Sequence, residues 1–145
     1  MPVIKTFIDV GATPETVWRV LTNFPAYRNW HPSIRDAEGS AREKTVLRFR
    51  VEKNGKARKL RVLVTRAMPA AELRWRERRI IEGIFDSEQS FIIVPHGLKG
   101  VRLVHRERVS GLLARLIAPF SLRRRTASLE AVNAAVKKAA EARRS

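Results

Sequence analysis

The chain carries three histidines, at positions 31, 96 and 105, and no two of them stand at metal-ligand spacing. It has no cysteine, which excludes disulfide frameworks, thiolate metal sites and cysteine nucleophiles. What remains is proton chemistry and polar contact. His105 and Glu107 lie two apart in VRLVHRERV, so on a strand they share a face and could serve as acid and base. Alternation points Glu77 and Gln89 the same way as Trp75 and Phe91. Charged groups on an apolar face cost several kcal/mol unless paired, hydrogen-bonded or wet. Two readings follow. Glu77 and Glu107 reach solvent near strand ends and pair with arginines, or the four polar groups anchor the polar end of an apolar guest.

His31 poses a different question, because VWRVLTNFPAYRNWHP surrounds it with aromatic residues between two prolines. With no second ligand in range, a metal is not expected there. Val17, Leu21 and Phe24 read as core, together with Trp18 and Tyr27. Trp30, held between a turn and Pro32, can offer both a ring and an N–H at a pocket rim.

The elements that must position these groups follow from periodicity. IKTFIDV (4–10) alternates as a strand and ends at Gly11. Thr13 then caps a helix whose first residue is Pro14, where no N–H is needed. Val17, Val20, Leu21 and Phe24 give that helix one apolar face, and Pro25 ends it before a short second helix or turn. From about residue 33 the period becomes 2. IRDAEGS is a weak edge strand, followed by TVLRFRVE, ARKLRVLVTRA, AELRWRER, SFIIVP and GVRLVHRERV. Asn54-Gly55, Met68-Pro69 and His96-Gly97 mark the turns. Leu129, Val132, Val136 and Ala140 form the stripe of a long terminal helix, with a kink expected at Pro119. Its stripe needs the buried face of the sheet.

At 145 residues, 44% hydrophobic and 30% charged, the chain is expected to form one domain over 1–145 with a sizeable core. MPVIKTFIDVG lacks a secretory signal pattern and no apolar run is long enough to span a bilayer, so a cytoplasmic location is expected. Thirty Lys and Arg against 14 Asp and Glu give a net charge of +16, which draws polyanions. Many of these cations fall on the outward strand face, at Arg48, Arg50, Arg61, Arg74, Arg76, Arg78, Arg102, Arg106 and Arg108, with more at Arg123–Arg125. No aromatics interleave with them for base stacking, so nucleic acid is a poor partner. An anionic membrane surface is the more coherent one.

The order of elements and two motifs resemble the SRPBCC superfamily, also called START-like or Bet v 1-like, of polyketide cyclase/dehydrase and lipid-transport type. IDVGATPETVWRVLTNFPAYRNWHPSI matches the opening strand, Pro-started helix and W-x-P turn, and FIIVPHGLKGVRLVHRERVSGLL the last hairpin. Asn23 stands where the family commonly has Asp, and Gln89 where it often has His. The resemblance implies an α+β helix-grip fold: a curved antiparallel sheet wrapped around a long C-terminal helix, with two short helices after the first strand. It also implies a cavity between sheet and helix that binds or transports a lipid, polyketide or aromatic compound, with no cofactor. A cyclase/dehydratase using the same cavity is the alternative, and a basic surface module a third. The expected walls are Phe49, Val62, Trp75, Phe91 and Leu103 from the sheet, facing Leu113, Leu116, Ile117 and Phe120 from the helix. Trp30 would stand at the rim, with His105, Glu107, Gln89 and Glu77 as polar contacts.

Overall fold

The computed structural model describes residues 3–78, 86–111 and 114–143, with side-chain surroundings for all of these except 78 and 114–121. Strand β1 (Val3–Val10) leads through Gly11 into helix α1 (Pro14–Thr22). The Thr13 hydroxyl accepts from the Thr16 N–H at 3.2 Å, and Pro14 occupies the first turn where its missing donor costs nothing. Val17, Val20 and Leu21 are fully buried, so α1 turns one face to the core. A 3-10 turn (Phe24–Ala26) and the short α2 (Tyr27–Trp30) follow.

Six further strands then run β2 (Ile34–Glu38), β3 (Val46–Lys53), β4 (Lys56–Met68), β5 (Glu72–Arg78), β6 (Asp86–His96) and β7 (Gly100–Ser110). They form one seven-stranded sheet in the order β1-β7-β6-β5-β4-β3-β2, every pair antiparallel. β2 is an edge strand, as its weak pattern suggests. At the β3–β4 hairpin Asn54 and Gly55 take φ of 53° and 76°, the left-handed pair that a two-residue turn between twisted strands requires. β6 begins at Asp86, four residues before the apolar run starting at Ser90, because its inward positions there are the polar Ser87 and Gln89.

Helix α3 (Ala114–Glu141) is continuous through Pro119, so the expected kink does not divide it. It packs mainly on β1 and β7 and against α1. Its C-terminal end is latched to the start of the chain. Lys137 donates to the Asp9 carbonyl at 2.8 Å, and Glu141 accepts from the Gly11 N–H at 2.8 Å. The other half of α3 lies across the sheet toward the β3–β4 hairpin, where Lys53 donates to the Ser128 hydroxyl at 3.1 Å. A sheet curved around a helix fixed at one end leaves space at the other. No helix among the described residues is long and apolar enough to cross a membrane.

Candidate ligand-binding cavity

That space is a cavity of about 320 Å³. Its apolar wall is built on the inward positions of the strands, and the rings follow one another across the sheet. Phe49 lies 5.4 Å from Trp75, Trp75 lies 5.4 Å from Phe91, and Phe91 stacks on His105 at 4.1 Å with 21° between planes. Val62 and Leu60 fill the gaps on β4, and Leu129 and Val132 close the cavity from α3. The turn contributes Tyr27, Trp30 and His31. Rings of this kind supply large apolar area with few rotamers to freeze.

Of the residues expected at the site, Trp30, Phe49, Val62, Trp75, Glu77, Gln89, Phe91, His105 and Glu107 all line this one cavity. Leu103 does not. It is fully buried on the inward face, but at the level of Ile8 and Ile93, beside the segment where Lys137 holds α3 against the sheet. Alternation chooses the face of a strand; the seat of the helix decides which part of that face stays uncovered. Leu113 and the side chains of Leu116, Ile117 and Phe120 lie outside the described residues.

The two glutamates are held by arginines. Arg125 donates to Glu107 at 2.8 Å and the Ser87 hydroxyl donates to its other oxygen at 3.3 Å, while Arg58 lies 3.7 Å from Glu77. Glu107 and His105 therefore have different partners. His105 is fully buried, with Nδ1 3.1 Å from Asn133 Oδ1 and Nε2 3.0 Å from Gln89 Oε1. Behind it, Asn133 donates to the Thr6 hydroxyl at 2.8 Å, and Thr6 donates to the His105 carbonyl at 3.0 Å. Burial pushes the His105 pKa down to about 4, against opposing hydrogen bonds from Asn133 and the backbone at Leu129.

His31 is also buried, and its Nδ1 accepts the backbone N–H groups of Ser33 and Ile34 at 3.1 and 3.0 Å. Burial, with the charges of His105 and Arg35, pushes its pKa down to about 3. His96 is exposed beside Asp9 and Arg102. Among the described residues no group of three or more His, Asp or Glu converges as metal ligands.

Sequence reasoning missed Thr6, Ser87, Arg125 and Asn133. Asn133 left a readable trace, a polar residue four after Leu129 and three before Val136 in an apolar helical stripe. At 2% exposure it had to find partners inside the protein.

A long helix gripped by a curved antiparallel sheet, with a ring-lined hollow between them, defines a helix-grip protein. The model of the family described as polyketide cyclase / dehydrase and lipid transport matches residues 1–142, and the chain belongs to that family, within the SRPBCC superfamily. A search of curated proteins found no match. Among solved structures, the di-domain ARO/CYC StfQ from the steffimycin biosynthetic pathway is similar with a TM-score of 0.79 at 13% identity, covering 97% of this chain and 51% of that one. The chain thus spans about half the length of that di-domain protein. The Zhui aromatase/cyclase from Streptomyces gives 0.74 at 17% identity, covering 98% and 94%. Norcoclaurine synthase from Thalictrum flavum, in complex with dopamine and hydroxybenzaldehyde, gives 0.74 at 12% identity, covering 99% and 88%. At these identities the likeness concerns the fold.

Proposed function

We propose that residues 1–145 act as one unit that binds a small hydrophobic molecule with aromatic character in the cavity between sheet and α3. The observation that carries this is the wall itself: Phe49, Trp75 and Phe91 in sequence along about 320 Å³ of space, with polar side chains from the neighbouring strands and α3 set around them. That volume lies at the lower end of ordinary ligand sites. Dopamine and hydroxybenzaldehyde in the similar norcoclaurine synthase support an aromatic guest. Carriage is favoured over cyclase/dehydratase chemistry because His105 and Glu107 are bonded to different partners and do not form an acid–base pair. Native mass spectrometry of the purified protein tests the reading, with displacement of an aromatic dye followed through tryptophan emission. A stoichiometric guest or saturable displacement supports it. A solid interior, with neither, ends it.

A second reading concerns the outer face. Arg48 and Arg61 stand directly opposite across β3 and β4, with no carboxylate at ion-pair distance from either among the described residues. Like charges so placed repel unless an anion lies over them. Docking on anionic lipid would supply one, and co-sedimentation equal for neutral and anionic vesicles would count against it.

A further inference from the structure

The hydrogen count along Thr6, Asn133, His105 and Gln89 decides more than packing. Each link admits two polarities, because the oxygen and nitrogen of a side-chain amide are nearly isosteric and a neutral imidazole carries its proton on either nitrogen. Two contacts choose between them. The Thr6 hydroxyl has one hydrogen and gives it to the His105 carbonyl, so toward Asn133 it can only accept. Asn133 therefore turns its NH2 to Thr6 and its Oδ1 to His105 Nδ1, which must carry a proton.

With Nδ1 protonated and the ring neutral, Nε2 holds a lone pair. Gln89 Oε1 stands 3.0 Å from it, an acceptor facing an acceptor, so the amide must be turned over to offer NH2 there. Its amide oxygen is left over, and Gln89 lines the cavity. Four hydrogen bonds then run the same way, from Gln89 to His105 to Asn133 to Thr6 to the His105 carbonyl, and such chains strengthen one another in a low dielectric. A ring protonated at both nitrogens would be a buried cation held by two neutral amides, which burial opposes.

We propose that Thr6 and Asn133 are positioning residues that hold His105 as the Nδ1–H tautomer, so that Gln89 presents its amide oxygen to the cavity and the site selects guests that donate a hydrogen bond there. The chemical class is an apolar, ring-bearing skeleton carrying a hydroxyl or N–H, in preference to its ether or ketone counterpart. This rests on the cavity taking a small hydrophobic guest. Glu107 does not supply the same preference, since Arg125 and Ser87 already engage it, and the Gln89→Leu arm below separates Gln89 from Glu77.

The test has two arms on the whole chain. NMR of the imidazole nitrogens in the guest-free protein at neutral pH should show His105 protonated at Nδ1 and bare at Nε2. Fluorescence titration should show naphthol bound about tenfold more tightly than methoxynaphthalene, the value of one well-made hydrogen bond. Gln89→Leu, a change at the cavity wall, should remove that difference while leaving the tautomer in place. Asn133→Asp sets a carboxylate against Nδ1, favours the imidazolium, turns the Gln89 oxygen to Nε2 and its NH2 to the cavity, and so should move the preference toward the ether. A spectrum showing Nε2 protonated and Nδ1 bare overturns the assignment, and equal affinities for the two naphthyl probes overturn the selection. Failure of both probes to bind overturns the cavity reading and the selection with it, while the spectrum still decides the tautomer.

Discussion

His31 and His105 are both buried, both lose their charge to burial, and both line the same cavity, yet they are tied down in opposite ways. His31 accepts at Nδ1 from two consecutive backbone N–H groups where α2 gives way to β2. Its ring stacks on Tyr27, whose hydroxyl donates to the Leu21 carbonyl. Every polar partner there is main chain, so the ring works as a turn cap and has one arrangement. His105 meets side chains from three elements, β1, β6 and α3, if Thr6 is counted behind Asn133. Amides can turn, so its arrangement is a choice made by the network. The lesson is that a perturbed histidine points to a site when a side chain bonded to it also faces the cavity, as Gln89 does.

The comparison breaks most visibly in acid. Both histidines have folded pKa values below the ordinary 6.5, at about 4 for His105 and about 3 for His31. The unfolded chain therefore takes up protons that the folded chain refuses. Stability is full above about pH 6.5 and is lost as pH falls toward 4, by up to about 1.4 kcal/mol per pH unit for each histidine. Asp9, held below its ordinary 3.8 by Arg102, adds its loss only further down. Denaturant midpoints across pH 7 to 4 should show this slope, and replacing either histidine should roughly halve it. A flat profile would mean that neither ring is held neutral.

Next in size is His31→Leu. It removes the acceptor of one buried and one part-buried backbone N–H group, each worth about 1–3 kcal/mol when left unmade, so a loss of about 3 kcal/mol is expected in chemical denaturation. The His105 tautomer should not change, because its ring nitrogens are held by Asn133 and Gln89 and not by His31. A shift of the His105 nitrogen signals in this variant would show that the two regions are one network.

Much of this contrast was invisible in the chain as written. The period-2 segments, the Asn54-Gly55 turn and the inward row Phe49, Trp75 and Phe91 are local signals, and the folded chain uses them as read. His31 was legible as part of an aromatic turn, but its bonds to Ser33 and Ile34 depend on a backbone path that no residue type dictates. The His105 network joins residue 6 to residue 133, and no local period reports a pairing across that distance. Leu103 shows the same limit from the other side, on the correct face yet under the helix.

Tyr27→Phe is expected to cost about 1 kcal/mol, since it frees the buried Leu21 carbonyl while keeping the ring between Phe24 and His31. A thermal or denaturant melt measures it. Burial holds this phenol neutral at any ordinary pH, so the loss should be independent of pH.

The smallest effect belongs to Trp30→Phe, and it separates the two uses of an aromatic in this turn. Trp30 packs against Tyr27 with 4.8 Å between rings, but its indole N–H is buried with no hydrogen-bond partner among the described residues. Removing an unmade donor relieves a desolvation cost, while the smaller ring gives up some contact, so the two terms oppose and the net change should stay under about 1 kcal/mol. The loss on Tyr27→Phe should exceed it. If Trp30→Phe proves the more damaging of the pair, the indole is serving as a structural post like Tyr27. If it leaves stability alone and weakens binding of an aromatic dye, the ring belongs to the cavity, and the turn holds His31 on one side while offering a contact on the other.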